Sequence, residues 1–168
     1  METDERLIEK TIDLIKEAHR GQVDKGGQPY YRHPLRVMMR LGAEATAAEK
    51  IAALLHDVVE DTGLELESLR ETGYHEEVIE IVRLVSENHF PGLTYLQHIE
   101  ALVSMGNVSA MRVKLADVAD NLAPSRVAAL PEELQYLADR YERARKILIK
   151  AVGPDVAGDV VWGEIEDP

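Results

Sequence analysis

At 168 residues and 18.8 kDa the chain has room for one domain with a core of its own and little room for two. It contains no cysteine, which excludes disulfide scaffolds, thiolate zinc sites and cysteine nucleophiles, so any metal must be held by nitrogen and oxygen. A net charge of −12 opposes non-specific binding to nucleic acid or to an anionic membrane, and leaves a small anionic ligand dependent on local help from a metal ion or from well-placed Lys and Arg.

The N-terminus, METDERLIEK, has no basic stretch leading into an apolar one, and no run of 18 apolar residues occurs, so the expected location is the cytoplasm. The apolar periodicity is helical almost throughout, without repeats or a convincing alternating β pattern, and predicts an all-α fold. Leu7, Ile8, Ile12, Leu14, Ile15 and Ala18 mark an amphipathic helix ending before Gly21, and residues 21–31 read as an exposed loop. A short helix follows with Pro34 in its first turn and His33 at its mouth. Thr46 and Glu49 form a capping box for a central buried helix over residues 47–59, apolar nearly all round. Further helices are expected over residues 66–71 and 76–86, from Thr94 to about Ser104, and over 111–122, with a second loop at 87–93. Pro131 is expected to open a long amphipathic helix to about Ala151, and the acidic segment after Gly153 to pack weakly through Val160, Val161 and Trp162.

Chemistry concentrates at His33, at the adjacent His56 and Asp57 inside one apolar helix, and at Asp117 inside another. Burying these groups is costly unless something compensates them. Taken singly, each reads as readily as a structural residue; together they suit one divalent cation, with two nitrogens and two oxygens favouring Mn, Fe, Zn, Ni or Co over Ca or Mg. Four protein ligands leave positions for water and a substrate oxygen, the arrangement of a metal-dependent phosphohydrolase. Glu60 and Asp61 follow one helical turn after His56 and Asp57 and share their face, so Glu60 is the candidate general base and Asp61 a candidate for holding a ligand or the substrate. His75, His89 and His98 read as surface residues, and Tyr30 as packing at the core edge.

At these residues the chain resembles the HD-domain metal phosphohydrolases, and within them the hydrolase domain of RelA/SpoT enzymes and small alarmone hydrolases. The resemblance rests on AHRGQ (18–22), GGQPYYRHP (26–34), AALLHDVVEDT (52–62) and VKLADVADNL (113–122). It implies an HD-domain helical bundle over residues 1–152 with a mononuclear metal site, followed by an acidic tail at 153–168. The implied reaction releases pyrophosphate from the 3′ position of guanosine tetra- or pentaphosphate, usually with manganese. It also implies His33, His56, Asp57 and Asp117 as metal ligands, Glu60 and Asp61 as the catalytic acidic pair, and Arg20, Lys25 and Asn121 as contacts to base, phosphate and sugar. Val23 and Asp24 stand where the resembling enzymes tend to have a basic pair, and SENHFPGL (86–93) departs from their usual segment. Hydrolysis of another nucleotide or phosphoester, and nucleotide sensing without turnover, are the alternatives.

Overall fold

The structure, a computed structural model, describes residues 3–168. It contains α1 (Asp4–Ala18), α2 (Arg32–Arg40), α3 (Ala47–Leu55), α4 (Val58–Asp61), α5 (Leu66–Glu71) and α6 (Glu76–Val85), then α7 (Tyr95–Ser104), α8 (Val108–Asn121), α9 (Pro124–Ala128), α10 (Tyr136–Val152) and α11 (Pro154–Asp159). Among the described residues the β structure is confined to one isolated bridge, Val23 to Pro29, within the first loop. The chain is an all-α bundle.

Helix starts follow local chemistry. Thr46 and Thr94 each accept from the backbone three residues on, and Glu49 and Gln97 return a bond to the cap, completing both capping boxes. Asn107 caps α8 through Ala110 N at 2.9 Å. That helix is the hub of the bundle: it packs against α2, α3, α6 and α10, and every residue from Val113 to Asp120 is buried. The expected central segment, residues 47–59, is mostly buried too, but its helical ladder is interrupted at His56 and Asp57. In an unbroken helix adjacent side chains diverge by about 100°; the interruption, with Asp57 at φ −101°, lets the two converge.

The region after Asn121 differs from the expectation. Pro131 has ψ 151° and caps a single 3-10 turn at residues 132–134, so the long helix starts at Tyr136, and α9 occupies a stretch the periodicity left unassigned. The segment after Gly153 is docked firmly. Ala157 and Val160 are buried, whereas Val161 is exposed. The Arg40 guanidinium donates to the Val161 and Gly163 carbonyls at 3.0 and 2.9 Å. Gly42, at φ +81°, lies so close to this segment that a Cβ there would meet the Asp159 carbonyl at 2.2 Å.

His98 is another difference. It is 1% exposed, and its Nε2–H donates to the Leu84 carbonyl at 2.8 Å while the ring packs on Phe90. It is a core histidine that ties α7 to the end of α6.

Candidate metal centre and its cleft

Helices α2, α3 and α8 bring three of the sequence-selected groups to one point. His33, His56 and Asp117 are buried and each offers a ligand atom within 4.8 Å of the others. His33 Nε2 is 3.2 Å from Asp117 Oδ1 and 3.5 Å from Asp57 Oδ2, and His56 Nε2 is 2.9 Å from Asp57 Oδ2. All four residues expected to hold a metal therefore meet.

The ring orientations fit a cation. His33 Nδ1–H donates to Asp120 at 2.7 Å and His56 Nδ1–H to the Ala53 carbonyl at 2.6 Å, which leaves both Nε2 lone pairs facing the two carboxylates. His56 Nε2 is buried and has no hydrogen-bond partner, although a carboxylate oxygen is 2.9 Å away. Acceptors converging on acceptors are unfavourable unless a positive charge lies among them. The cluster could hold one divalent metal ion, and without one a proton is the nearest substitute. Burial disfavours an imidazolium at His56, but Asp57 and Asp117 outweigh it and hold its pKa well above the ordinary value. Burial likewise works against ionised Asp57 and Asp117, yet His56 and Lys114, respectively, keep both pKa values well below the usual carboxylate range.

Asp120, fully buried, stands behind the cluster. Besides His33 it takes Arg36 Nε and Arg40 Nε, each at 3.0 Å, and lies 3.5 Å from Arg126. This carboxylate fixes the His33 tautomer and neutralises guanidinium groups that have little access to water. We expect Asp120→Ala to destabilise the protein by about 3–5 kcal/mol in urea unfolding, because uncompensated charge remains buried. The same change should weaken divalent-metal affinity roughly 10–100-fold in a calorimetric titration. Unchanged affinity would show that His33 needs no such orientation.

The cluster opens into a depression of about 260 Å³ lined by Glu60, Asp61, Tyr30, Tyr95, Lys114 and Arg140, among others. The Glu60 carboxylate accepts the Glu87 backbone N–H, and Asn88 donates to the Val59 carbonyl, so the unusual 86–93 loop braces the turn that carries Glu60. Burial pushes the Glu60 carboxyl up to about 7 and also raises Asp61. Tyr30, expected to serve packing, instead donates from its hydroxyl to Asp57 Oδ2 at 2.5 Å. Lys114 is buried and donates to Asp117 at 3.0 Å, three residues along the same helix.

Lys25 and Asn121 line the depression as well; Asn121 Nδ2 donates to Asp117 Oδ1 at 2.8 Å. Arg20 does not line it. It is exposed at the end of α1 and paired with Glu17. Asp24 turns its carboxylate to the loop amides of Gly26 and Gln28 and to Arg126. Arg140, Tyr95 and Tyr141 are lining residues that sequence reasoning missed or left undecided. Arg140 rests over the Tyr95 ring at 4.2 Å, a contact between helices that no local pattern announces.

The chain is 33% identical over 139 residues to a probable GTP pyrophosphokinase of Mycobacterium leprae, covering 77% of this chain and 17% of that protein. It is 28% identical over 155 residues to a probable guanosine-3′,5′-bis(diphosphate) 3′-pyrophosphohydrolase of Mycoplasma pneumoniae, covering 84% and 21%. It thus spans about a fifth of the length of these relatives. A metazoan ortholog of SpoT, described as hydrolysing ppGpp, superposes with a TM-score of 0.70 at 24% identity over 91% of this chain and 90% of its own, a likeness of fold. Among the described residues no helix is long and apolar enough to cross a membrane. The family model described as HD domain matches residues 11–152, most of the chain and all four clustered side chains, and the protein belongs to the HD-domain family.

Proposed function

We propose that this protein is a metal-dependent phosphohydrolase that releases pyrophosphate from the 3′ position of guanosine 3′,5′-bispyrophosphate or a closely similar nucleotide. The observation that carries the reading is the buried convergence of imidazole nitrogens and carboxylate oxygens, opening beside a carboxyl group tuned near neutrality. The names of the relatives supply the substrate class. His33, His56, Asp57 and Asp117 would hold the ion, for which manganese is the proposed choice within the range that nitrogen and oxygen donors accept. Such an ion supplies Lewis-acid polarisation of a phosphoryl oxygen and activation of a water nucleophile.

The remaining work falls to the chain's own side chains. Glu60, at the mouth of the cluster, accepts the proton that the attacking water must lose, and a pKa near the working pH suits that transfer. Lys114 and Arg140 put positive charge on the wall where phosphate charge develops. Lys25 reaches toward phosphate from the first loop, and Asn121 faces the nucleotide from α8 while holding Asp117. Asp61 borders the same space and helps position what binds there. Arg20 would have to leave Glu17 to stack on a base.

One observation favours keeping a second substrate in view. Asp24 faces inward to Arg126, so the loop brings Lys25 to the depression without a second cation beside it in sequence, and a less charged nucleotide would meet less of a phosphate clamp. The deciding assay is pyrophosphate and phosphate release by manganese-loaded protein from guanosine tetraphosphate and from a panel of ordinary nucleotides, with Asp57→Ala as control. Release of pyrophosphate from the tetraphosphate, lost in the control, is expected. Activity confined to other nucleotides would discard the alarmone substrate, and silence throughout would favour a sensing module.

A further inference from the structure

Beside the depression lies a second cavity of about 360 Å³, and Asp24, Lys25, Asn121, Arg126 and Tyr141 belong to both walls, with Asp24 turned to the Gly26 and Gln28 amides and to Arg126. Its lining also includes Arg36, Ser125, Glu164, Ile165 and Asp167. The C-terminal segment that supplies these last three residues is held very differently on either side of Gly163. Up to Gly163 the C-terminal segment is anchored by buried Val160, by the Arg40 bonds to the Val161 and Gly163 carbonyls, and by Trp162 packed against the Arg145 guanidinium at 4.4 Å. Beyond Gly163, which takes φ +80°, the hydrogen bonds run through acidic side chains. The Glu164 carboxylate receives the Ser125 N–H and hydroxyl, and Asp167 bridges Arg36 at 2.8 Å and Arg32 at 2.7 Å.

Two carboxylates therefore sit on donors that would serve a phosphate group equally well. Arg36 is 9% exposed and committed on its other edge to Asp120, so its free edge is fixed in place and aimed at whatever anion occupies this wall. The Asp167 side chain is 47% exposed against 11% for Arg36, so its carboxylate can return to water on leaving while Arg36 stays paired with Asp120, and the pair exchanges more readily than one buried on both sides.

We propose that this second cavity is an anion subsite, built from Arg36 and Ser125 with Lys25 and Arg126 beside them, for the phosphate arm that a nucleotide carries away from the metal cluster, and that Glu164 on Ser125 and Asp167 on Arg36 occupy its donors as a tethered competitor. The identity of the arm rests on the proposed function, because a bispyrophosphate has one chain to place at the cluster and another to place elsewhere. The anion chemistry of the cavity does not. Displacing the two carboxylates leaves the anchored part of the segment intact, so the strap opens at Gly163 without unravelling α11.

The test is the manganese-loaded double variant Glu164→Gln and Asp167→Asn of this 168-residue chain beside the parent protein. Calorimetric titration with inorganic pyrophosphate is expected to show one binding event in the parent and a second, additional one in the variant. In parallel, KM for guanosine 3′,5′-bispyrophosphate should fall roughly three- to tenfold in the variant, the effect of releasing two weak ion pairs, while KM for guanosine 3′-pyrophosphate with a free 5′-hydroxyl stays the same. If neither nucleotide is turned over, the proposed function fails and the pyrophosphate stoichiometry alone decides the subsite. An unchanged stoichiometry, or an equal change in both KM values, overturns it.

Discussion

Asp117→Ala is expected to lose divalent-metal binding and turnover together, and to unfold more readily even without metal. The carboxylate is buried at the meeting point of three obligations. It lies 3.2 and 3.6 Å from the Nε2 atoms of His33 and His56, it pairs with the buried Lys114 ammonium at 3.0 Å, and it accepts from Asn121 at 2.8 Å. Removing it takes one oxygen from the ligand set and leaves Lys114 buried beside a void. Breaking one side of a buried ion pair costs about 3–5 kcal/mol, which metal-free urea unfolding would measure directly. Metal content by elemental analysis after gel filtration should fall to background. Lys114→Met with Asp117→Asn provides the control, since it removes the unpaired charge while keeping the side-chain volumes. That pair should recover most of the stability and none of the metal binding. Full metal occupancy in Asp117→Ala would remove it from the ligand set.

How far these groups were legible before the structure depends on the range of the interaction that betrays each one. His56, Asp57 and Asp117 stand out because a titratable side chain inside an apolar helix is a local contradiction, and the capping boxes at Thr46 and Thr94 are likewise local. The interruption at His56 and Asp57 was not legible, since the apolar pattern continues through it and the groups that meet there come from α2 and α8. Asp120 gave no local sign of standing behind His33 rather than in an ordinary salt bridge, because its cations, Arg36 and Arg40, lie about eighty residues earlier in the chain. The acidic tail read as weakly packed for the same reason: Arg32, Arg36 and Arg40 dock it from more than a hundred residues away. His98 was misplaced because a histidine amid polar neighbours gives no sign that a carbonyl from α6 waits above it. Lys114, by contrast, carried a usable signal, a lysine three residues before Asp117 in a largely apolar stretch.

Glu60→Gln separates catalysis from assembly. The amide keeps the shape of the side chain but cannot take a proton, so metal binding should persist while kcat falls about 10²–10⁴-fold, the usual contribution of general acid–base catalysis. The pH profile sharpens the assignment. Burial, with the nearby Asp57 charge adding to it and Lys114 opposing it, sets the carboxyl at about 7 in the metal-free protein. A base works when deprotonated, so activity should rise with pH through a limb at or below 7, lower once a cation is bound because the cation favours the carboxylate. Stability runs in the opposite direction. The folded state binds this proton more tightly than the unfolded chain, so metal-free protein loses stability as pH climbs from the ordinary glutamate range through about 7. Above that pH the parent buries a charge that Gln does not have. Glu60→Gln should therefore be at least as stable as the parent at pH 8, and its lost turnover cannot be ascribed to unfolding. A variant that retains both the rate and the ascending limb would assign the proton transfer to another group, with Asp61, bordering the same depression, the next to replace.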